Sequence, residues 1–145
     1  MKAVKDVMRQ LPTSCGRNDS LQTVATRMSI SKLEFLPVVD VNSEVIGTLI
    51  YKDIQIKMSQ DNFSNLLVCD VMKVDALLVN TYDDEASALK LMRNNHASYL
   101  PVVDEKNHLK GVVSFVALAR RIIQLKQELK RDSERMKVQG LGLSI

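Results

Sequence analysis

The chain contains no tryptophan, and aromatic residues make up 4% of its 145 positions. It has only two cysteines and two histidines. Each shortage removes a class of function. Cys15 and Cys69 lack CxxC or metal-ligand spacing. Among apolar neighbours they read as reduced core thiols, so a cytoplasmic setting is expected. His96 follows a helix end and His108 falls in a predicted turn, positions that suit solvated side chains. No HxxxH, HExxH, GxSxG or GxxxxGK[ST] pattern occurs. Catalysis therefore has little to stand on, and an enzyme is a distant third reading. No apolar run reaches the roughly 18 residues that a membrane span needs. MKAVKDVMRQLP has no long apolar stretch behind its lysine, so no signal peptide is expected.

What is present is an ordinary globular balance, 46% apolar and 26% charged. The net charge of +3 is uneven. Residues 118–137 hold seven Lys or Arg against three acids, so the rest of the chain is slightly acidic. This basic segment has no aromatic side chain for stacking on bases, and a nucleic-acid partner is not expected.

The strongest signal is internal. Leu36-Pro37-Val38-Val39-Asp40 returns as Leu100-Pro101-Val102-Val103-Asp104, 64 residues later. At the same offset VKDVM falls on VCDVM, Asp19 on Asp83, Met28 on Met92 and Gly47 on Gly111. No gap is needed, so one structural unit is written twice. Each copy reads alike. A "DVM" lead-in precedes an extended apolar piece, clearer at Leu77-Leu78-Val79. A helix follows. Asp19 is the expected cap, with Gln22 at the capping-box position and Leu21, Val24, Ala25 and Met28 on one face. In the second copy Asp83 is the expected cap, with Ala86, Leu89, Met92 and Arg93 following. Proline then opens a β-branched strand. A four-residue polar turn leads to return strands at Val45–Ile50 and Leu109–Ser114. Asp40 and Asp104 suit those turns, where the side chain bonds nearby backbone N–H groups. Second helices begin near Tyr51 and Phe115. A unit of about 60 residues buries too little surface to stand alone, so two units packed through their sheets are expected to share one core.

D-V-M, a capped helix ending in Met, h-P-V-V-D and G-h-h-[S/T]-x-x-D, repeated in register over residues 4–124, resemble the cystathionine-β-synthase (CBS) domain. A tandem pair is called a Bateman module. The resemblance implies an α+β fold of two βαββα repeats with pseudo-twofold symmetry, here with an extended C-terminal helix. The expected division is 1–64, 65–124 and a 125–145 extension with a frayed tail. The resemblance also implies two quasi-equivalent clefts that bind adenosyl compounds (AMP, ADP, ATP, S-adenosylmethionine, sometimes NAD), a homodimer, and regulation rather than catalysis.

In that family the motif's Asp accepts hydrogen bonds from the ribose hydroxyls, and its Ser or Thr donates to a phosphate. This chain splits the motif. Gly47-Thr48-Leu49-Ile50-Tyr51-Lys52-Asp53 keeps the carboxylate, and Gly111-Val112-Val113-Ser114-Phe115-Val116-Ala117 keeps the hydroxyl. Phosphate-binding members tend to carry His or Arg before h-P, but Glu34-Phe35 and Ser98-Tyr99 stand there, and Glu34 repels a phosphate. Asp53, Ser114, Leu36, Pro37, Leu100 and Pro101 are the candidate cleft residues. Three readings remain open. Asp53 and Ser114 serve clefts built from both repeats, leaving one ribose site. Or the ligand is unphosphorylated and needs only Asp53 and an apolar slot. Or side chains fill both clefts, with Asp53 capping a helix and Ser114 ending a strand.

Leu118, Ile122, Leu125 and Leu129 recur at four, three, four on a helix otherwise strongly charged. The helix is expected to pass the end of the repeat by two or three turns. Its stripe meets a second copy, another protein, or its own domain. The function expected is a stand-alone regulatory pair sensing an adenosyl compound. The alternative is a ligand-free dimerisation or adaptor module working through the C-terminal helix.

Overall fold

The computed structural model describes residues 2–10 and 13–138. The C-terminal 139–145, expected to fray, lie outside the described residues. The elements in chain order are β1 (Arg9–Gln10), α1 (Leu21–Ser31), β2 (Phe35–Val39), β3 (Val45–Ile50), α2 (Tyr51–Lys57), β4 (Val79–Asn80), α3 (Glu85–Asn94), β5 (Tyr99–Val103), β6 (Leu109–Ser114) and α4 (Phe115–Val138). Both return strands lie at the bounds expected from sequence.

The two halves repeat each other pair by pair. In β2–β3, Phe35 opposes Ile50, and in β5–β6, Tyr99 opposes Ser114. Both hairpins are antiparallel and carry an irregularity at the same place, Val38/Val39 and Val102/Val103. Asp40 Oδ1 accepts from the N–H groups of Asn42 and Glu44, and Asp104 Oδ1 from those of Lys106 and His108. LPVVD is thus both strand and turn anchor. β5 lies between β6 and a parallel β4. In the first half the place of β4 is taken by a single parallel bridge from Cys15 to Val38.

Both helix caps sit one residue later than the sequence suggests. Ser20, not Asp19, caps α1 and accepts from Thr23 N–H at 3.5 Å. Asp84, not Asp83, caps α3 and accepts from Ser87 N–H at 2.7 Å. Asp19 and Asp83 close the preceding turns instead, accepting from Gly16 N–H and Asn80 N–H. The inward face of α1 is as expected, Leu21, Val24, Ala25 and Met28. That of α3 is Glu85, Ala88, Leu89 and Met92, while Ala86 and Arg93 are exposed. The register of the repeat explains the difference: Glu85 occupies the position of Leu21 and stays inward although charged.

The halves are joined by exchange. Lys73, in the lead-in of the second repeat, pairs with Thr48 of β3, the two backbones bonding reciprocally at 2.9 and 3.0 Å. β1, in the lead-in of the first repeat, pairs with β6 of the second, Arg9 opposite Val112 and Gln10 opposite Gly111. At the far end the hairpin tips dock. Leu109 N–H donates to the Ser43 carbonyl and Val45 N–H to the Asn107 carbonyl, with Ser43 and Asn107 both at positive φ (64° and 65°).

The shared single core expected from sequence is two clusters. One gathers Leu21, Val24, Met28, Leu36, Leu49 and Ile54 under α1 and α2, and includes Val68 of the second lead-in. The other gathers Ala88, Met92, Leu100, Val113 and Leu118 under α3 and α4, and includes Val4 of the first lead-in. Each fully buried aliphatic side chain contributes about 1.5–3 kcal/mol, so each lead-in stabilises the opposite repeat.

Gly47 and Gly111 permit this close approach. A Cβ on Gly111 would lie 2.7 Å from the Arg9 carbonyl oxygen and 2.6 Å from Met8 Sδ, and on Gly47 2.8 Å from the Lys73 carbonyl oxygen. At Gly16 the same atom meets only ordinary contacts, at 3.6 Å and beyond. Gly111→Ala is expected to lower unfolding free energy in urea by about 1–3 kcal/mol, the usual range for overpacking. Gly16→Ala should change it by less than about 0.5 kcal/mol.

Glu85 is fully buried; its Oε1 accepts from Arg121 Nε at 2.9 Å, and its Oε2 has no protein partner. Arg121, on α4, keeps 27% side-chain exposure. The two partners are therefore unequal. A lone Arg121 reaches water, but a lone Glu85 is a stranded buried charge. Arg121→Leu should cost more stability than Glu85→Leu, approaching about 3–5 kcal/mol, and replacing both by Leu should be neutral or stabilising. Urea titrations of the three variants check the order.

Candidate functional site

Where the paired sheets meet, two aromatic rings related by the repeat face each other. Phe35 and Tyr99 stack with centroids 5.5 Å apart and planes 15° from parallel. The Tyr99 hydroxyl donates to Glu34 Oε2 at 3.0 Å. Partial burial, and then Glu34 as hydrogen-bond acceptor and negative charge, raise the Tyr99 pKa above the ordinary phenol value. Glu34, Phe35 and Tyr99 form a partition with a cleft on each side, and all three line both.

The smaller cleft, about 240 Å³, lies between Leu36-Pro37 of the first repeat and Val112, Ser114 and Ala117 of the second, with Arg9, Thr13 and Lys32 on its rim. The larger, about 450 Å³, lies between Leu100-Pro101 of the second repeat and Thr48, Ile50, Tyr51 and Lys52 of the first, with Lys73, Asp75 and His96 around it. Nearly every residue of one has its repeat counterpart in the other. Ser114 answers to Ile50, Thr13 to Leu77, Arg9 to Lys73 and Lys32 to His96. A wider groove of about 930 Å³ lies elsewhere, between the N-terminal turn and the second hairpin tip. It is open, and Asp104 within it faces His108 at 3.6 Å and Lys110 at 3.7 Å. The two clefts, by contrast, share the half-buried Phe35 and Tyr99 rings as a common wall.

The structure brings Leu36, Pro37 and Ser114 together in the smaller cleft and puts Leu100 and Pro101 in the larger. Asp53 stands half-buried in the first turn of α2. Its neighbours Tyr51, Lys52 and Gln55 line the larger cleft, though Asp53 itself is not on the wall. Ser114 therefore lines the smaller cleft, while Asp53 lies in the helix turn next to the larger one without lining it. Asp53 is not the cap of α2; Ile50 holds that position, without a side-chain cap bond. Ser114 ends β6 and also caps α4, its Oγ accepting from Ala117 N–H at 3.1 Å. An accepting hydroxyl keeps its own proton to donate. Arg9, Thr13 and Lys32 were not picked out by motif. Sliding the sequence by one repeat aligns them, but only the fold shows that they face a cleft.

Other reactive groups lie apart. Burial, and then the charge of Asp19, push the Cys15 thiol up to about 12. Among the described residues no cluster of His, Cys, Asp and Glu is placed to hold a metal ion. No helix of the described residues is long and apolar enough to cross a membrane.

Two equivalent clefts flanking an aromatic partition, between duplicated βαββα units, define a paired-repeat module. The CBS domain model matches the chain twice, at residues 4–60 and 68–124, and the chain belongs to the CBS domain family. Inosine-5′-monophosphate dehydrogenase of Methanocaldococcus jannaschii is 29% identical over 118 residues, covering 81% of this chain and 22% of that enzyme. Homoserine O-acetyltransferase of Methanocorpusculum labreanum is 30% identical over 116 residues, covering 80% of this chain and 23% of that enzyme. The chain thus spans less than a quarter of the length of these two relatives. Among solved structures, CBSX2 in complex with AMP aligns with a TM-score of 0.75 at 23% identity, covering 87% of this chain and 99% of that one; CBSX2 is a CBS-pair protein of Arabidopsis thaliana. The CBS domain pair of protein MJ0100, in complex with 5′-methylthioadenosine and S-adenosyl-L-methionine, aligns with a TM-score of 0.74 at 22% identity, covering 83% of this chain and 94% of that one. At these identities the likeness is one of fold.

Proposed function

We propose that this chain is a regulatory CBS pair, not an enzyme, that senses an adenosyl compound in its larger inter-repeat cleft. Occupancy acts by favouring one arrangement of the two repeats. The observation that carries this reading is the 450 Å³ cleft itself, within the usual size range of ligand sites. It lies beside the turn of α2 that bears Asp53. Ile50 stands where the family places a phosphate-binding hydroxyl, and Glu34 and Asp75 line the wall. That combination favours an unphosphorylated adenosyl ligand over a nucleotide. The AMP, 5′-methylthioadenosine and S-adenosylmethionine bound by the two structural neighbours support the ligand class. The module is proposed to work in the cytoplasm as a homodimer. In a thermal-shift screen of adenosine, S-adenosylmethionine, AMP, ADP, ATP and NAD, a ligand at 100 times its dissociation constant should add about 2.7 kcal/mol. Asp53→Ala is expected to remove that shift and leave the free protein folded, since a charged hydrogen bond is worth about 1.5–3 kcal/mol. No shift from any of the six at millimolar concentration would overturn the reading.

A second reading rests on α4. This helix has 24 residues and is about 36 Å long. It passes residue 124 by about four turns, more than sequence suggests. Leu118 is buried, and Ile122 packs on the second core. Leu125 is half-buried, while Ile123 and Leu129 are 55% and 70% exposed. The body covers the start of the stripe and leaves its end open. In this adaptor reading, the open end packs against a second copy. Leu125→Lys with Leu129→Lys should then weaken dimerisation on dilution, read by light scattering, with the thermal midpoint of the body unchanged. A monomeric parent would remove this reading.

A further inference from the structure

The second repeat departs from the first in two features that sit together. Its last helix, α4, runs for 24 residues, whereas the counterpart α2 stops after seven, at Lys57. Glu85 stands on α3 where α1 has Leu21, and it bonds Arg121, the residue that answers to Lys57. The polar pair thus occurs where the shorter helix ends and the longer one goes on. Leu21 fills the same position fully buried, whereas Glu85 leaves one oxygen unpartnered among the described residues. Packing alone does not call for the carboxylate. What the pair supplies beyond leucine is direction, a 2.9 Å hydrogen bond that holds one arrangement of two helices. The base of α4 is held at three points. Ser114 Oγ accepts from Ala117 N–H, Leu118 is buried in the second core, and Arg121 bonds Glu85. Residues 125–138 then form a rod about 21 Å long, aimed by those supports. Glu85 is the first residue of α3, a helix about 15 Å long. Just past its other end, Asn95, His96, Ala97 and Ser98 line the larger cleft. Ala97 N–H donates to the Met92 carbonyl at 2.9 Å, which fastens that wall to the helix. One helix therefore reaches from the wall of the larger cleft to the support of α4.

We infer that Glu85 and Arg121 are positioning residues that couple the larger cleft to the α4 extension. A ligand that displaces the 95–98 wall displaces α3 as one rigid element. The pair passes the displacement to the base of α4, and the length of the rod enlarges it at the tip. The smaller cleft has no such route. α1 also ends at its wall, at Lys32 and Leu33, but begins at Leu21, and α2 ends at Lys57 with no extension to aim. The extension is thus the output of one cleft. By reciprocity, a partner that holds the extension alters the affinity of that cleft. This coupling rests on reading the larger cleft as a ligand site and adds how that site is read out.

The test uses the whole chain at one protein concentration, with amide hydrogen exchange read by mass spectrometry and adenosine and S-adenosylmethionine as probes. The main variant joins Glu85→Leu with Arg121→Leu, whose global stability is expected to equal or exceed the parent's. Without ligand it should change exchange at least threefold in residues 125–138 and also in 95–99, at the far end of α3. A pair with only a local packing role would alter the segments around 85 and 121 and leave 95–99 as in the parent, and that result overturns the coupling. Glu85→Gln keeps an oxygen to accept from Arg121 and should retain the parent's pattern. With a probe bound, exchange in 125–138 should shift at least threefold in the parent and in Glu85→Gln, and not in the double leucine variant. An equal shift in all three overturns the coupling. A probe that protects 95–99 without moving 125–138 in the parent leaves the adenosyl reading standing and sinks the coupling. If neither probe protects 95–99, the adenosyl reading fails, and the ligand-free response of 95–99 in the double variant decides the coupling alone.

Discussion

Two short antiparallel pairings hold this molecule in its shape. Lys73 lies along β3, and Arg9–Gln10 lie along β6, each strip coming from the other repeat. Without them each hairpin would expose an unpaired edge, and each core would lose a fully buried valine, Val68 or Val4. The same strips build the clefts. Arg9 rims the smaller and Lys73 the larger, so the contacts that join the halves also bring charge to the sites. Stability and recognition therefore share residues, and the absence of side chains at Gly47 and Gly111 serves both.

Duplication gave two copies of one backbone, and the substitutions since then have made them chemically different. The differences collect at equivalent points. Where the first copy has Leu21 the second has Glu85, whose contact with Arg121 ties the start of α4 to the body. A buried ion pair adds little net stability over apolar packing, but it fixes geometry when both partners are present. Across the clefts, Ile50 and Asp53 in one copy stand against Ser114 and Ala117 in the other. The backbone registers of the two hairpins stayed identical throughout.

Much of the fold was legible because it is local and periodic. β3 and β6 are short apolar runs bounded by turns, and Asp40 and Asp104 bond the backbone just ahead of them. The caps slipped by one because Asp19 and Asp83 are claimed by the turns before the helices, leaving Ser20 and Asp84 to cap. Glu85 was missed as an inward residue because its partner lies 36 positions away. The exchanged lead-ins carry no local signature, since two-residue strands are defined by what they lie against. For the same reason the sequence named Ser114 and Asp53 together but did not show that only Ser114 lines a cleft wall. It also did not show that Phe35 and Tyr99 stand between those clefts.

The exchange of lead-ins also orders the birth of the molecule. The first core closes on Val68 and Lys73, so it needs only the first half of the chain and a few residues more. The second core needs Val4 from the first lead-in, and β6 needs Arg9–Gln10 beside it, contacts that span about a hundred residues. Such distant pairings form late and slowly because loop closure precedes their reward. During synthesis residues 4–10 therefore stay without these partners until the second repeat has formed. The first lead-in is thus the strip whose pairing waits longest.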